Sequence, residues 1–159
     1  MLNASQLNTL KTKLKGTVVI LGIGNTLKCD DGAGAILASR LKGKVPFIVY
    51  DVSTGLENYL GKVIRDSPQT IVLIDAADIG CQAGGFKMLD GHEVKTNNLF
   101  FTHNASIALT IDYFQEHLKV DIVALLIQPK TIAFGDTLSA EVEQTITSLE
   151  QWFLEAGKG

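Results

Sequence analysis

Residues 18–34, VVILGIGNTLKCDDGAG, join an apolar run to a glycine-rich turn and a pair of acids. Every residue of Val18–Leu21 is apolar, which favours a strand covered on both faces, as in parallel sheets. Gly22–Asn25 predicts a turn. Residues 31–41 predict a helix, because acids stand at its start and Arg40 stands near its end. A strand, a turn and a helix in this order are typical of an α/β domain.

The same alternation of strand and helix patterns continues along the chain. Strands are predicted by the apolar runs at residues 47–50, 71–74 and 120–127, and an edge strand by the alternating residues 85–90. Further helices are predicted at residues 56–64, 106–118 and 139–156. Strands that alternate with helices predict a three-layer α/β/α sandwich around a mostly parallel sheet.

A short amphipathic helix is predicted ahead of this domain. Leu7, Leu10 and Leu14 recur at helical spacing among lysines, and Gly16 ends the pattern. We therefore divide the chain into a helical extension, residues 1–16, and a single domain, residues 17–159. A length of 159 residues suits one domain. The helix either packs on the domain or offers a handle for interaction.

Composition excludes several classes of protein. Apolar residues make up 46% of the chain and charged residues 19%, unlike a disordered chain. The net charge of −3 disfavours binding to nucleic acid. No apolar run approaches the roughly 20 residues that span a bilayer, and the first residues lack the apolar core of a signal peptide. The two cysteines, Cys29 and Cys81, form no C-x-x-C pair, which argues against a disulfide scaffold and against a zinc site. We expect a cytoplasmic protein that is not inserted in a membrane.

Polar residues gather where the predicted strands end. Asp31 follows the first strand, Asp75 follows the third, and His103 precedes a helix. If strands one and three are neighbours, these side chains converge at the carboxyl edge of the sheet. Two carboxylates and an imidazole suit nickel, zinc or manganese. Each residue also has a simpler interpretation: Asp31 as a helix cap, Asp75 as support for the next turn, and His103 as a surface histidine.

Other kinds of site are less well supported. Gly22 and Gly24 begin a dinucleotide-binding pattern, and Asp51 ends the second strand, but the third glycine is replaced by Leu27. Acids at the helix start would also repel a phosphate. Acids near Cys29 oppose a thiolate nucleophile, and we interpret His92 and His117 as surface residues. Asp31 with Asp75 is a better pair for acid–base chemistry than the adjacent Asp30 and Asp31, whose side chains point in different directions.

Four segments together resemble a known family. These are residues 22–34, Ile74–Asp78, Thr102–Asn104 and Ile127–Pro129. They are similar, in this order, to motifs of the HycI-type branch of the [NiFe] hydrogenase maturation proteases. The resemblance covers about residues 17–155 and implies a twisted five-stranded sheet between helix layers.

The resemblance also implies a function. Members of the family are endopeptidases that remove the C-terminal tail of the large-subunit precursor of [NiFe] hydrogenases. They hold no permanent cofactor and recognise the nickel already inserted in the substrate. Carried over to this chain, the nickel contacts are Asp31, Asp75 and His103, and the two aspartates are the catalytic candidates of an aspartic-type endopeptidase. Some branches have Glu in place of Asp31, so a shorter side chain requires a closer approach of the metal.

Two alternatives to this function remain open from the sequence. One is a nickel-sensing chaperone that binds the large subunit without cutting it, and the other is a nucleotide-binding domain. In the favoured interpretation the partner is the large-subunit precursor, which meets a monomeric enzyme. Whether a metal or a carboxylate activates the attacking water is left open at this stage.

Overall fold

The computed structural model describes residues 3–96, 100–101 and 104–158. The helices are α1 (Ala4–Lys13), α2 (Ala33–Leu41), α3 (Leu60–Asp66), α4 (Gly91–Thr96), α5 (Asn104–His117) and α6 (Ala140–Ala156). The strands are β1 (Val18–Ile23), β2 (Ile48–Ser53), β3 (Thr70–Asp78), β4 (Phe86–Asp90), β5 (Phe100–Phe101) and β6 (Asp121–Ile127). Short 3₁₀ turns at Cys29–Gly32 and Leu56–Tyr59 precede α2 and α3. We call the first of them the acidic turn.

The strands form one mostly parallel sheet in the order β2-β1-β3-β6-β4. β1 pairs in parallel with both β2 and β3, and β3 pairs in parallel with β6. β4 is an antiparallel edge strand, and the two-residue β5 pairs antiparallel with the end of β3. The first and third strands are neighbours, which is the condition under which the sequence predicts that Asp31 and Asp75 converge. Because β2 lies on one side of β1 and β3 on the other, the strand order reverses between β1 and β3, where α/β sheets place their sites.

Successive residues of β1 point to opposite faces of the sheet, and each face has its own buried cluster. Val18 and Ile20 belong to the cluster formed with α1, α2 and α6. Val19 and Leu21 belong to the cluster formed with α3, α4 and α5. The predicted α/β/α sandwich with a buried parallel sheet is therefore confirmed, with β5 added to the five expected strands.

The element boundaries differ from the sequence predictions in several places. α2 begins at Ala33 instead of residue 31, since residues 29–32 form the acidic turn. β2 continues past Asp51, and β3 continues past Asp75, because neighbouring strands go on pairing there. Asp75 faces Leu126 of β6 in the parallel register. This aspartate therefore lies within a strand and not after it.

The first helix contributes directly to the core. Leu7 and Leu10 of α1 lie buried in the cluster that includes α2 and α6. The Thr70 hydroxyl at the start of β3 donates a hydrogen bond of 2.7 Å to the carbonyl of Lys13. α1 is thus packed on the sheet and joined to it by a hydrogen bond. Among the helices of residues 3–96, 100–101 and 104–158, none combines the length and the apolar character of a membrane span.

An ion pair links α2 to α6. Both guanidinium nitrogens of Arg40 donate to the Glu143 carboxylate at 2.7 Å, a bidentate geometry that fixes orientation as well as charge. This contact lowers the pKa of Glu143, chiefly through the Arg40 hydrogen bond, and raises the pKa of Arg40. Since the Glu143 side chain is 44% exposed, solvent screens the pair and its contribution to stability is modest.

Candidate active site

Glycine at position 24 allows the loop after β1 to fold closely over the acidic turn. Gly24 has a φ of +152°, a conformation that side-chain-bearing residues rarely adopt. A Cβ at this position would lie 2.1 Å from the carbonyl oxygen of Asp31. The Gly24 amide donates to the carbonyl of Ser53 in β2 at 2.9 Å. The loop therefore holds the Asp31 backbone against the end of the sheet.

A second glycine brings the start of α2 onto the strand ends. A Cβ at Gly34 would lie 2.1 Å from the carbonyl oxygen of Ile74 in β3 and 2.4 Å from that of Ile23 in β1. Only a residue without a side chain permits this approach. The acidic turn, which directly precedes α2, is consequently placed at the reversal point of the sheet.

Asp31 is buried within this turn. Its side chain is almost fully enclosed, with 1% of the residue exposed. The Oδ2 atom accepts a hydrogen bond of 3.2 Å from the Asn25 amide, and the Asn25 side chain accepts one of 2.9 Å from the Leu27 amide. Gly32 stands at the N-cap position of α2 and offers no side-chain cap. The Asp31 carboxylate is therefore oriented by the loop that follows β1.

Asp75 lies in the neighbouring strand and is equally buried, with 1% exposed. Its Oδ1 accepts a hydrogen bond of 2.8 Å from the Ala76 amide. The acidic turn packs against β3. The structure thus brings the turn that carries Asp31 against the strand that carries Asp75. Asp78, at the end of the same strand, is exposed and accepts from the Gly80 amide at 3.2 Å.

The third predicted ligand, His103, lies outside the described residues. Before it, Phe101 pairs with Ala77 near the end of β3, and after it α5 begins at Asn104. Within residues 3–96, 100–101 and 104–158, no group of three or more His, Cys, Asp or Glu side chains could hold a metal ion. The role of His103 remains a prediction.

Asp30, the neighbour of Asp31, serves a structural purpose that the sequence did not predict. It is fully buried, and its carboxylate accepts hydrogen bonds from the amides of Lys130, Thr131 and Ser139 and from the Ser139 hydroxyl, at 2.8–3.3 Å. Ser139 also caps α6 by accepting from the Val142 amide. Asp30 therefore ties the acidic turn to the loop after β6 and to the start of α6.

Two histidines and two cysteines are the weaker candidates from the sequence. His92 and His117 are exposed, as expected of surface residues. Both cysteines are free thiols, and partial burial, followed by the charge of Asp78, raises the pKa of Cys81. A raised pKa disfavours the thiolate that a nucleophile requires.

Asp51, the acidic residue of the dinucleotide interpretation, is hydrogen-bonded to Ser53 of the same strand. The Asp51 Oδ1 accepts from the Ser53 amide at 3.0 Å and from the Ser53 hydroxyl at 2.9 Å. One oxygen of the Asp51 carboxylate is therefore engaged within its own strand. The buried acids between β1 and α2 likewise oppose a phosphate at this helix start.

A family model described as hydrogenase maturation protease, HycI, matches residues 36–156. The chain belongs to the hydrogenase maturation proteases. As a member of this family the protein is a hydrolase of the endopeptidase class. The matched range includes Asp75 and position 103, while the acidic turn precedes it.

Individual relatives agree with this assignment. The protease is 26% identical to the hydrogenase 3 maturation protease of Escherichia coli K12 over 137 residues, which cover 85% of this chain and 87% of that protein. Its fold matches the crystal structure of the [NiFe] hydrogenase maturation protease HycI from Thermococcus kodakarensis KOD1 with a TM-score of 0.85 and 28% identity, covering 95% of this chain and 99% of that one. The fold also matches the solution structure of the endopeptidase HycI from Escherichia coli, with a TM-score of 0.77 and 26% identity, covering 88% of this chain and 90% of that one.

Proposed function

We propose that this protease removes the C-terminal tail of the nickel-loaded large-subunit precursor of a [NiFe] hydrogenase. One observation carries the proposal: in a chain of this family, the turn with the buried Asp31 lies against the strand with the buried Asp75, where the strand order reverses. Carboxylates at such a point face the crevice in which α/β enzymes bind their ligands.

Nickel belongs to the substrate in this proposal. Carboxylate oxygens of Asp31 and Asp75 and a ring nitrogen of His103 form a donor set that suits nickel and leaves positions for ligands of the large subunit. Contact with a metal at a fixed place in the substrate would hold the scissile peptide beside the same carboxylates. Such positioning supplies a large part of many rate accelerations.

The two buried aspartates are also the groups available for proton transfer. One carboxylate acting as general base would take a proton from the attacking water, or water activated by the substrate metal would attack directly. In both routes a precursor that lacks nickel is not held in place. The requirement for nickel would thereby prevent removal of the tail before the metal is inserted.

The proposal is tested by incubating the purified protease with nickel-loaded and nickel-free large-subunit precursor, and measuring the mass of the large subunit. We expect the loss of a C-terminal peptide from the nickel-loaded form alone. We also expect the protease to purify without stoichiometric metal. Nickel-loaded precursor that binds but keeps its mass would instead indicate a non-cleaving chaperone.

Substitutions test the individual residues. Asp31→Asn, Asp75→Asn and His103→Ala should each reduce processing by about a thousandfold or more, as expected when a group that contacts the reacting centre is lost. Asp78→Asn is the matched control, because this aspartate is exposed at the end of β3, and it should retain activity. Retained processing in all of the first three variants would refute the site.

A further inference from the structure

Three exposed apolar side chains lie on the loops beside the acidic turn. Leu27 is 57% exposed, Ile132 is 38% exposed and Phe134 is 87% exposed. We call these residues the apolar rim. Single exposed apolar residues are ordinary on protein surfaces, but these three stand on two loops that are hydrogen-bonded to each other. Their shared position on the loops beside the acidic turn makes them candidates for contact with a partner.

Backbone hydrogen bonds hold the two loops together. The Gly135 amide donates to the Leu27 carbonyl at 2.8 Å, and the Gly135 carbonyl accepts from the Cys29 amide at 2.8 Å. These bonds form an isolated parallel bridge between Lys28 and Gly135. Phe134, next to Gly135, is therefore presented on a fixed backbone. A preorganised surface loses less conformational freedom when it binds a partner.

The same loops are joined to the Asp31 backbone through Asp30. The Asp30 amide donates to the Thr131 carbonyl at 3.1 Å, and the Asp30 carboxylate accepts from the amides of Lys130 and Thr131. Ile132 follows directly in the chain. The rim and the acidic turn thus form one hydrogen-bonded unit, in which the position of the rim relative to Asp31 is set.

We infer that the apolar rim is the docking surface for an apolar segment of the large-subunit precursor, next to the bond that is cut. The inference rests on the proposed function, since it places the substrate at Asp31. Its support is the continuity of the rim with the acidic turn: a protein substrate whose backbone reaches Asp31 must pass over the neighbouring loops. The rim would supply affinity, while the carboxylates would supply contact with the metal.

The size of the rim favours a transient partner over a second copy of this chain. A fully buried aromatic side chain removes about 150–250 Å² from water. Three side chains, two of them aliphatic, fall well short of the roughly 1,200–2,000 Å² of a stable interface. A substrate that makes further contacts at the carboxylates and leaves after cleavage fits this area.

The test compares steady-state processing of nickel-loaded precursor by the wild-type protease and by the Leu27→Ser, Phe134→Ser double variant. We expect KM to rise by about tenfold or more, because apolar burial with the substrate is lost, and kcat to stay within about twofold. Leu109→Ser is the matched control. Leu109 is 69% exposed, but it belongs to α5 and not to the two loops of the rim, and both constants should remain unchanged.

Direct binding separates this inference from the proposed function. Binding of nickel-loaded precursor is measured with the wild-type protease and the double variant, whether or not cleavage occurs. Weaker binding by the double variant supports the rim even if wild-type protease fails to cut, whereas equal binding, or no binding by either protein, overturns it. Sedimentation of the protease alone provides a further check, since a wild-type dimer that the double variant abolishes would assign the rim to a second copy.

Discussion

Asp30 and Asp31 are adjacent acids with different environments. The Asp30 carboxylate is occupied by donors from the segment of residues 130–139. The Asp31 carboxylate accepts from Asn25, within the loop after β1, and lies on the turn that contacts β3. One aspartate therefore stabilises the site, and the other is the candidate for chemistry. Their separate tasks can be distinguished by comparing stability with activity.

Asp30→Asn should destabilise the fold by about 3 kcal/mol. The substitution replaces one acceptor oxygen with an amide group, which cannot accept from the amides and the hydroxyl that surround it, and buried hydrogen bonds to a charged group are among the costlier ones to lose. Urea unfolding followed by circular dichroism measures the change. Asp78→Asn, at an exposed aspartate that accepts a hydrogen bond of 3.2 Å from the Gly80 amide, should change stability by no more than about 0.5 kcal/mol.

An unchanged stability of Asp30→Asn would contradict the structural role of Asp30. If Asp30→Asn were as stable as the wild type, the hydrogen bonds to residues 130–139 would not be the reason that this acid is buried. Asp31→Asn, measured in the same way, should keep a larger part of the stability while losing processing. This pattern would assign the two acids to different tasks.

Some of these residues could be selected from the sequence and others could not. Asp31 and Asp75 follow apolar runs, and strand ends in parallel sheets are where polar groups converge. The role of Asp30 depends on partners about one hundred positions along the chain, and no local pattern connects them. The exposure of Leu27 and Phe134 is equally invisible in the sequence, because an apolar residue in a loop is as consistent with burial as with a contact surface.

At the scale of elements, the site depends on how closely α2 lies on β1 and β3. A Cβ at Gly22 of β1 would lie 2.3 Å from the Gly34 carbonyl oxygen, and a Cβ at Gly34 would lie 2.1 Å from the Ile74 carbonyl oxygen. The backbone of α2 at Gly34 therefore packs directly on the backbones of β1 and β3. The position of the acidic turn, which ends where α2 begins, follows from it.

Gly34→Ala should therefore affect both stability and processing. The added methyl group overlaps backbone atoms that cannot rotate away, and overpacking of this kind costs about 3 kcal/mol. Relief of the overlap would shift α2 together with Asp31, so we expect kcat for nickel-loaded precursor to fall as well. Thermal unfolding and the processing assay together measure the two effects.

Gly61→Ala is the matched control for this substitution. Gly61 lies in α3, where an added Cβ has only the Arg65 guanidinium nearby, at 3.9 Å. Alanine is a better helix former than glycine, so stability should rise by about 0.5 kcal/mol. If Gly34→Ala were as stable and as active as the wild-type protease, the close approach of α2 to β1 and β3 would not be required for folding or for processing.

The elements were predictable to different extents for physical reasons. Long apolar runs located β1, β3 and β6, because burial on both faces leaves a continuous signal. The ends of these strands were less predictable, since pairing with neighbours extends β3 through Asp78. The predicted start of α2 is too early, because the acids at residues 30 and 31 belong to a 3₁₀ turn that precedes Ala33. α4 and β5 are short and carry too few residues for periodicity to be detected.

At the scale of the whole molecule, α1 and α6 share one buried cluster with the sheet. This cluster contains Leu7 and Leu10 of α1 and Phe153 of α6, and Trp152 packs against it. The helix ahead of β1 thus completes the layer that also contains α2. On this arrangement the chain should unfold as one cooperative unit from α1 to α6.

Leu10→Ala tests that cooperativity. Leu10 is fully buried, and truncation of a buried leucine costs about 2–5 kcal/mol through lost burial and the cavity left behind. Because Trp152 is the single tryptophan of the chain and lies on α6, its fluorescence reports on the opposite end of the sequence. We expect the fluorescence and far-ultraviolet circular dichroism transitions of the variant to coincide at a lower urea concentration, as a two-state unit requires.

The matched control for Leu10→Ala is Leu109→Ala, which removes the same atoms from a helix position that is 69% exposed and should cost no more than about 0.5 kcal/mol. If α1 were an independent handle, Leu10→Ala would instead leave the tryptophan transition at its wild-type position and lower only a small part of the dichroism signal. Coincident, shifted transitions would mean that α1 stabilises the layer on which the acidic turn rests. Loss of α1 contacts would then weaken processing without any change at Asp31 or Asp75, because α2 and α6 would lose part of their shared support.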